Sequence, residues 1–109
     1  MSRDWRKYLD DIRSSCSKVI RFTEGMSLAD FRADEKTYDA VLRNLEIIGE
    51  AAKHVPDAVR ETIPAVPWRK ISGLRDIVAH AYFGVDDDIV WDVVRNKVPE
   101  LLAALESSG

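Results

Sequence analysis

Apolar residues recur at intervals of three and four along most of the chain, which is the spacing of one face of an α-helix. Four long stretches have this pattern, at residues 5–20, 38–52, 68–81 and 89–105. No alternation of apolar and polar residues typical of a strand interrupts them. Because short connections join the stretches, the pattern predicts an all-α fold, an antiparallel up-and-down bundle of four long helices plus short helices.

Capping residues and a proline predict where the first two long helices begin and end. Ser2 is a suitable N-cap for the first helix and Gly25 a suitable end. A short polar side chain accepts from the free N–H groups of a first turn, and glycine tolerates the turn that follows a helix. Asp34 precedes the second long helix, which we expect to end near His54 because Pro56 follows.

The remaining helices are placed by similar signals. Short helices are expected at 27–31 and 57–63, and the third long helix is expected over 68–81. The acidic run 86–88 should begin the last helix, since carboxylates are stabilised by the positive end of a helix dipole. Pro99 lies inside that helix and should kink or divide it, because its ring clashes with the carbonyl four residues back.

Length and charge limit the class of protein. A chain of 109 residues is expected to form one domain over residues 1–109. Its formal net charge of −3 argues against general binding of polyanions, so a nucleic-acid site would have to be a local basic patch. The charged N-terminus predicts no signal peptide, and no stretch reaches the roughly 20 apolar residues of a membrane span. A cytoplasmic protein without a membrane partner is therefore expected.

The cysteine and histidine content argues against disulfides and metals. Cys16 is the only cysteine, which excludes an internal disulfide and fits a reducing compartment. Its place in the apolar pattern predicts a core residue rather than a reactive thiol. The two histidines, His54 and His80, make a poor zinc set with it. No glycine-rich phosphate loop or nucleophile elbow occurs, so we expect no metal and no cofactor.

The segment RDIVAHAYFG, residues 75–84, places four chemically active side chains on one helix. Asp76 and His80 are four apart and share one stripe of the helix, whereas Arg75 and Tyr82 share the next. The Asp76 carboxylate is expected to accept a hydrogen bond from His80, leaving the other ring nitrogen free for proton transfer. The Arg75 guanidinium suits a phosphate, since its fork offers paired donors.

These groups suffice for cleavage of RNA without a metal. His80 would act as general base on a 2′-hydroxyl or as general acid on the leaving oxygen, and Arg75 would stabilise the charged phosphorane. Arg69 and Lys70 lie close by in the sequence and form a basic patch of the kind that an RNA backbone needs. From the spacing alone, a chemically inert surface helix is the better explanation.

The stretch RDIVAHAY has the form R-x4-H-x-Y with a polar residue directly after the arginine, and it resembles the signature of the HepT-like toxin branch of the HEPN superfamily. The flanking sequences are similar as well, namely RNLEIIGEAAKHVP at 43–56, PWRKISGLRDIVAHAYFGVD at 67–86 and IVWDVVRNKVPEL at 89–101. The resemblance covers nearly the whole chain, and the N-terminal third is its least diagnostic part.

The resemblance implies a specific function and specific partners. HepT-like proteins are helical homodimers in which the R-x4-H segments of the two protomers meet at a cleft, and many are RNase toxins. It implies a type VII toxin–antitoxin pair whose antitoxin is a minimal nucleotidyltransferase. By position, Arg75 and His80 would be catalytic, with Asp76 beside them at the polar position. Tyr82 would accept AMP from the antitoxin, and this modification would silence the toxin.

Two other functions remain open from the sequence. One is a non-catalytic helical partner and AMP acceptor of a nucleotidyltransferase. The other is a structural dimeric bundle or nucleotide-sensing domain, in which Arg75 and Tyr82 bind an adenylate without catalysis. Asn44, Glu46 and Glu50 on the second long helix either line the cleft or belong to a helix face outside it.

Overall fold

A computed structural model describes residues 4–84 and 86–107 and shows eight α-helices, with no strand in this part of the chain. The helices are α1 Trp5–Phe22, α2 Leu28–Ala33, α3 Glu35–Lys53, α4 Asp57–Arg60, α5 Trp68–Ser72, α6 Leu74–Tyr82, α7 Asp87–Asp92 and α8 Val98–Ser107. A π-helical turn, Val93–Lys97, joins α7 to α8. The predicted all-α fold is confirmed.

The first helix is capped by an aspartate rather than by the predicted serine. The side chain of Asp4 accepts a hydrogen bond from the backbone N–H of Arg6, which lowers the pKa of the Asp4 carboxyl. Ser2 lies outside the described residues. The helix ends at Phe22, and Gly25 follows in a left-handed turn with φ +76°, where a glycine avoids strain.

The second long helix has the predicted boundaries. Asp34 is its N-cap, and its carboxylate accepts from the backbone N–H of Thr37 at 3.1 Å. This hydrogen bond lowers the pKa of Asp34. The helix ends at Lys53 with His54 as the C-cap, two residues before Pro56.

The third long helix was predicted as one element and is two. Gly73 interrupts it with a ψ of −3°, well away from the α-helical value, and separates α5 from α6. Glycine is a weak helix former because it loses the most backbone entropy on folding. The interruption lets α6 take its own direction from Leu74 onward, and α6 is the helix on which the RDIVAHAY segment lies.

The last helix is divided, as predicted, but in the turn before Pro99 rather than at the proline itself. The adjustment precedes the proline, in the π-helical turn Val93–Lys97, and α-helix resumes at Val98. Pro99 therefore occupies the first turn of α8, where a missing N–H costs least. A π turn is a recognised way to relieve the clash of a proline ring with the carbonyl four residues back.

Helix α3 lies at the centre and runs antiparallel to its two main neighbours. Near the start of α1, Tyr8 stacks on His54 just past the end of α3, with ring centroids 4.6 Å apart. Late in α3, Gly49 contacts Arg75 near the start of α6. Early in α3, the Tyr38 hydroxyl lies 3.4 Å from the carbonyl of Ala81 near the end of α6. These contacts fit the predicted antiparallel bundle.

The core is mainly aliphatic and is continuous through the helices. Its largest fully buried side chains include Ile12, Phe31, Leu42, Leu45 and Leu105. Cys16 is also fully buried, as predicted, and burial raises the pKa of its thiol to about 12. Within the described ranges, no helix is both long and apolar enough to cross a membrane.

Candidate active site

Helix α6 exposes the four predicted site residues on its outer side. Arg75, Asp76, His80 and Tyr82 are all exposed, whereas the intervening Leu74, Val78 and Ala81 are buried. The apolar residues fix the rotation of the helix, because they must face α3 and the core. All four predicted residues are therefore exposed on α6, with Asp76 and His80 on one stripe and Arg75 and Tyr82 on the next, as the helical spacing indicated.

Arg75 is held against α3. Its Nη1 lies 3.4 Å from Oε2 of Glu50, and its side-chain stem passes over Gly49. A Cβ atom added at Gly49 would lie 3.4 Å from Cγ of Arg75 and 3.4 Å from the carbonyl oxygen of Ile71. Gly49 thus allows α3 and the start of α6 to approach closely, and the guanidinium reaches the next residue of α3.

Glu50 contacts two cationic or potentially cationic groups. Besides Arg75, its other oxygen Oε1 lies 3.5 Å from Nε2 of His54, which stacks on Tyr8. A cavity of about 250 Å³ opens beside these side chains, between α1, α3 and the start of α6. The sequence left the role of Glu50 open, and the structure places it beside Arg75.

Among the described residues, the other two undecided residues of α3 form no hydrogen bond or ion pair with the α6 motif. Asn44 is buried, and its Nδ2 donates to the carbonyl of Ala40 at 2.8 Å, a bond within the helix. Glu46 pairs with Arg43 at 3.2 Å and lines the cavity near Arg75 without bonding to it. Asn44 is therefore a structural residue of α3.

The predicted hydrogen bond between Asp76 and His80 is not formed. Instead, Nδ1 of His80 lies 3.9 Å from Oδ2 of Asp86, and the described residues include no hydrogen bond or ion pair joining Asp76 to His80. Both Asp76 and His80 are exposed, so such a pair would gain little over hydration. Asp86 has a left-handed backbone with φ 68°, and this conformation brings its carboxylate back toward α6.

Three large apolar or aromatic side chains are exposed where α6 ends and α7 begins. Tyr82 is 63% exposed, Phe83 83% and Ile89 48%. The Tyr82 hydroxyl makes no hydrogen bond to any described residue, so its oxygen is open to solvent. We call these three residues the apolar patch. It lies beside His80, on the part of α6 farthest from Arg75.

A polar cluster supports the end of α6 from beneath. The Tyr38 hydroxyl donates to Oδ1 of Asp87 at 2.6 Å, and Arg32 Nε lies 3.4 Å from the other oxygen of Asp87. Arg32 also pairs with Asp88 at 3.4 Å. Burial and the Asp87 carboxylate raise the pKa of Tyr38 to about 12. Beyond beginning α7 as predicted, the acidic run therefore ties α7 to α2 and α3.

The predicted basic patch is only partly gathered at one place. Lys70 lines an apolar groove of about 490 Å³ between α5, α6 and α8, and Lys97 from the π-helical turn lines the same groove. Arg69 is exposed on α5 but does not line it. Sequence spacing could not pair Lys97 with Lys70, because they lie on elements far apart in the chain.

The described ranges contain no group of three or more His, Cys, Asp or Glu side chains placed to hold a metal ion. The exposed groups available for chemistry on α6 are thus a guanidinium, an imidazole, a carboxylate and a phenol. A helical fold that presents arginine and histidine together on an open face is suited to binding and cleaving a phosphodiester.

Comparison with known proteins assigns the chain to a family of that kind. The family model described as "Ribonuclease HepT-like" matches residues 12–108. The chain therefore belongs to the HepT-like ribonuclease family, as its resemblance indicated. No solved structure matches it.

Named relatives align over most of their length. A Methanocaldococcus jannaschii protein named "Putative RNase MJ0127" is 42% identical over 104 residues, 95% of this chain and 86% of the relative. A Thermococcus cleftensis protein named "Probable ribonuclease HepT" is 41% identical over 106 residues, 97% of this chain and 96% of the relative. The similarity therefore extends over the helices that carry and support the α6 motif.

Proposed function

We propose that this protein is an RNase toxin of a type VII HEPN/nucleotidyltransferase toxin–antitoxin pair, and that it cleaves RNA without a metal. The observation that carries the proposal is the exposure of Arg75 and His80 together on α6, in a chain of the HepT-like ribonuclease family. A localisation in the cytoplasm, where RNA and such an antitoxin occur, goes with this proposal.

The proposed reaction is an internal transfer on the RNA backbone. A neutral His80 takes the proton of a 2′-hydroxyl, and the 2′-oxygen bonds to the adjacent phosphorus. The bond from phosphorus to the 5′-oxygen breaks, and that oxygen takes the proton back from the same imidazolium. Arg75 stabilises the added charge on the phosphorane oxygens. The products are a 2′,3′-cyclic phosphate and a 5′-hydroxyl, so atoms and protons balance.

A homodimer is proposed to bring His80 of one protomer to Arg75 of the other. On one helix, Arg75 and His80 are about 140° apart around the axis and about 7.5 Å apart along it, so one protomer presents them in different directions. The apolar patch of Tyr82, Phe83 and Ile89 is exposed next to His80 and is suited to burial against a second copy. A two-fold axis beside α6 would bring Arg75 of each protomer toward His80 of the other.

The RNA backbone is proposed to lie along the groove between α5, α6 and α8. Lys70 and Lys97 line this groove, and Arg69 is exposed on the same short helix as Lys70. Lysines bind phosphates as point charges and carry little sequence preference. They would hold the substrate beside α6 in a protein whose net charge is negative.

Tyr82 is proposed as the regulatory site, modified by a minimal nucleotidyltransferase antitoxin. The transferase would move AMP from ATP onto the phenolic oxygen and release pyrophosphate. The hydroxyl is exposed and makes no hydrogen bond within the described chain, so it is accessible to another enzyme. An added AMP would bring negative charge and bulk beside His80, which opposes RNA binding.

The proposal is tested with purified protein, a mixed RNA substrate and EDTA. We expect wild-type protein to cleave in EDTA and to lose this activity after incubation with ATP and a cognate nucleotidyltransferase. Intact mass should then show added AMP on wild type and none on Tyr82→Phe, which should stay active. Cleavage that requires an added metal would contradict the metal-independent mechanism. AMP on the Tyr82→Phe protein would contradict Tyr82 as the modified residue.

The second candidate is a non-catalytic AMP acceptor. The solvent-open Tyr82 hydroxyl favours it as much as it favours a regulated toxin. In that case wild-type protein would accept AMP yet would not cleave any RNA in the mixture. The same experiment therefore separates the two functions.

A further inference from the structure

We propose that two consecutive residues of α3, Gly49 and Glu50, are positioning residues that hold Arg75 in its working orientation. The proposal rests on the proposed ribonuclease function and adds to it an account of how the Arg75 guanidinium is oriented. Gly49 would direct the stem of the side chain, and Glu50 would direct its guanidinium.

The stem of Arg75 lies in the space that a side chain at residue 49 would occupy. Gly49 is buried in the middle of a regular helix, where alanine would be the stronger helix former. A Cβ there would lie 3.4 Å from Cγ of Arg75 and 3.5 Å from its backbone nitrogen. A Cβ at this position would be in close van der Waals contact with the arginine stem, and a larger side chain would displace it, so the glycine leaves room for Arg75.

The guanidinium is oriented by a single contact that leaves most of it free. Nη1 of Arg75 lies 3.4 Å from Glu50, whereas Nε and Nη2 make no hydrogen bond to a described residue. A guanidinium has five N–H donors in a planar fork. The carboxylate therefore restricts rotation of the fork while leaving donors for a phosphate oxygen.

Because this ion pair is exposed, a role of Glu50 in positioning Arg75 can be distinguished from a role in folding stability. Both side chains are about half exposed, and exposed pairs of this kind contribute little to folding stability. The carboxylate of Glu50 is also shared with His54, so its own position is restrained. Removing the charge of Glu50 should consequently affect the reaction more than the fold.

The test compares steady-state RNA cleavage by the dimeric protein as wild type, Glu50→Gln, Gly49→Ala and Arg75→Ala. Glu46→Gln is the matched control, because Glu46 lies one turn earlier on α3 and pairs with Arg43 instead. We expect Glu50→Gln to lower kcat about fivefold and Gly49→Ala about threefold, with KM changed less than about twofold in each, because misplaced groups chiefly raise the barrier. Glu46→Gln should match wild type.

A double variant identifies the residue through which Glu50 acts. If Glu50 works by aiming Arg75, then Glu50→Gln should cause no further loss in an Arg75→Ala background, whereas independent effects would multiply. An unchanged or raised kcat/KM for Glu50→Gln, or multiplicative losses in the double variant, would overturn the inference. Full activity of Arg75→Ala would instead overturn the proposed function, so the two failures are distinguishable.

Discussion

The two ends of α6 are supported in different ways. At its start, α3 positions a side chain. Gly49 makes room for the stem of Arg75, and Glu50 pairs with its guanidinium. At its end, the scaffold holds the backbone, because Tyr38 reaches the carbonyl of Ala81 and bonds to Asp87. The side chains of that end stay exposed.

This difference indicates which part of the site one protomer completes by itself. Arg75 has a defined environment within a single chain, whereas His80 is paired, among the described residues, only with the Asp86 carboxylate at 3.9 Å. The apolar patch around Tyr82 and Phe83 has no cover within the described chain. A second protomer packed on that patch would cover its side chains and bring a second Arg75 toward His80.

The largest effect is expected from removing the histidine or the arginine. His80→Ala should lower kcat for RNA cleavage about 10³-fold, since general acid–base groups contribute 10²–10⁴-fold. Arg75→Ala should lower it at least about 10²-fold, because a charge stabiliser of the transition state is lost. Both side chains are exposed, so circular dichroism should show an unchanged helical fold.

The matched control for Arg75→Ala is Arg13→Ala, which removes an arginine of α1 that pairs with Asp10. It should cleave at the wild-type rate. Wild-type cleavage by His80→Ala would refute the role of the histidine.

Charge within the apolar patch should separate the protomers. Phe83→Glu places a carboxylate at a side chain that is 83% exposed in one chain but proposed to be buried in the dimer. We expect light scattering with size exclusion to report monomers, and cleavage to fall about 10²-fold, because burying an unpaired charge is costly. Ala103→Glu, at an exposed position on α8, is the control. A dimeric and active Phe83→Glu protein would place the interface elsewhere.

A smaller effect is expected in the groove between α5, α6 and α8. The double variant Lys70→Glu, Lys97→Glu should raise KM for RNA about tenfold and leave kcat nearly unchanged, because phosphate contacts bind the backbone without taking part in the reaction. The salt dependence of KM should also become shallower. If only kcat falls, then the lysines act on the reaction rather than on binding.

The smallest effect on activity is expected beneath the end of α6. Tyr38→Phe removes the 2.6 Å bond to Asp87 and should cost about 1 kcal/mol of unfolding free energy. The folded state raises the pKa of Tyr38 from 10.0 to about 12, so wild-type stability should fall as the pH rises through that range. Thermal melts from pH 9 to 12 should show a shallower fall for Tyr38→Phe. Parallel melting curves for the two proteins would contradict this linkage.

Much of the fold follows from local pattern, and much of the site does not. The spacing of apolar residues gives the helices and the exposed face of α6, since both depend on residues three and four apart. The contact of Glu50 with Arg75 joins different helices, and charge alone does not reveal which carboxylate an arginine meets. Asp86 replaces Asp76 beside His80 because a left-handed residue redirects the chain after α6, and that geometry is not encoded in helical spacing.

Helix breaks were predicted less well than helix faces. The apolar spacing predicts one long helix through Gly73, whose low helix propensity is the physical cause of the break between α5 and α6. Pro99 signalled a disturbance in the last helix, but the chain absorbs it one turn earlier, in the π-helical turn Val93–Lys97. Helix propensity indicates that a helix is disturbed near a residue, and tertiary packing determines at which residue the backbone departs from α-helical geometry.

The central claim is that arginine and histidine of different protomers form one site, and mixing two inactive variants tests it most directly. Arg75→Ala and His80→Ala proteins are unfolded together, refolded and assayed for RNA cleavage. In a mixed dimer one site lacks both groups and the other is intact. About a quarter of wild-type activity should return, because half of the dimers are mixed and each holds one of two sites. No recovery in a sample shown to contain mixed dimers would contradict a shared site.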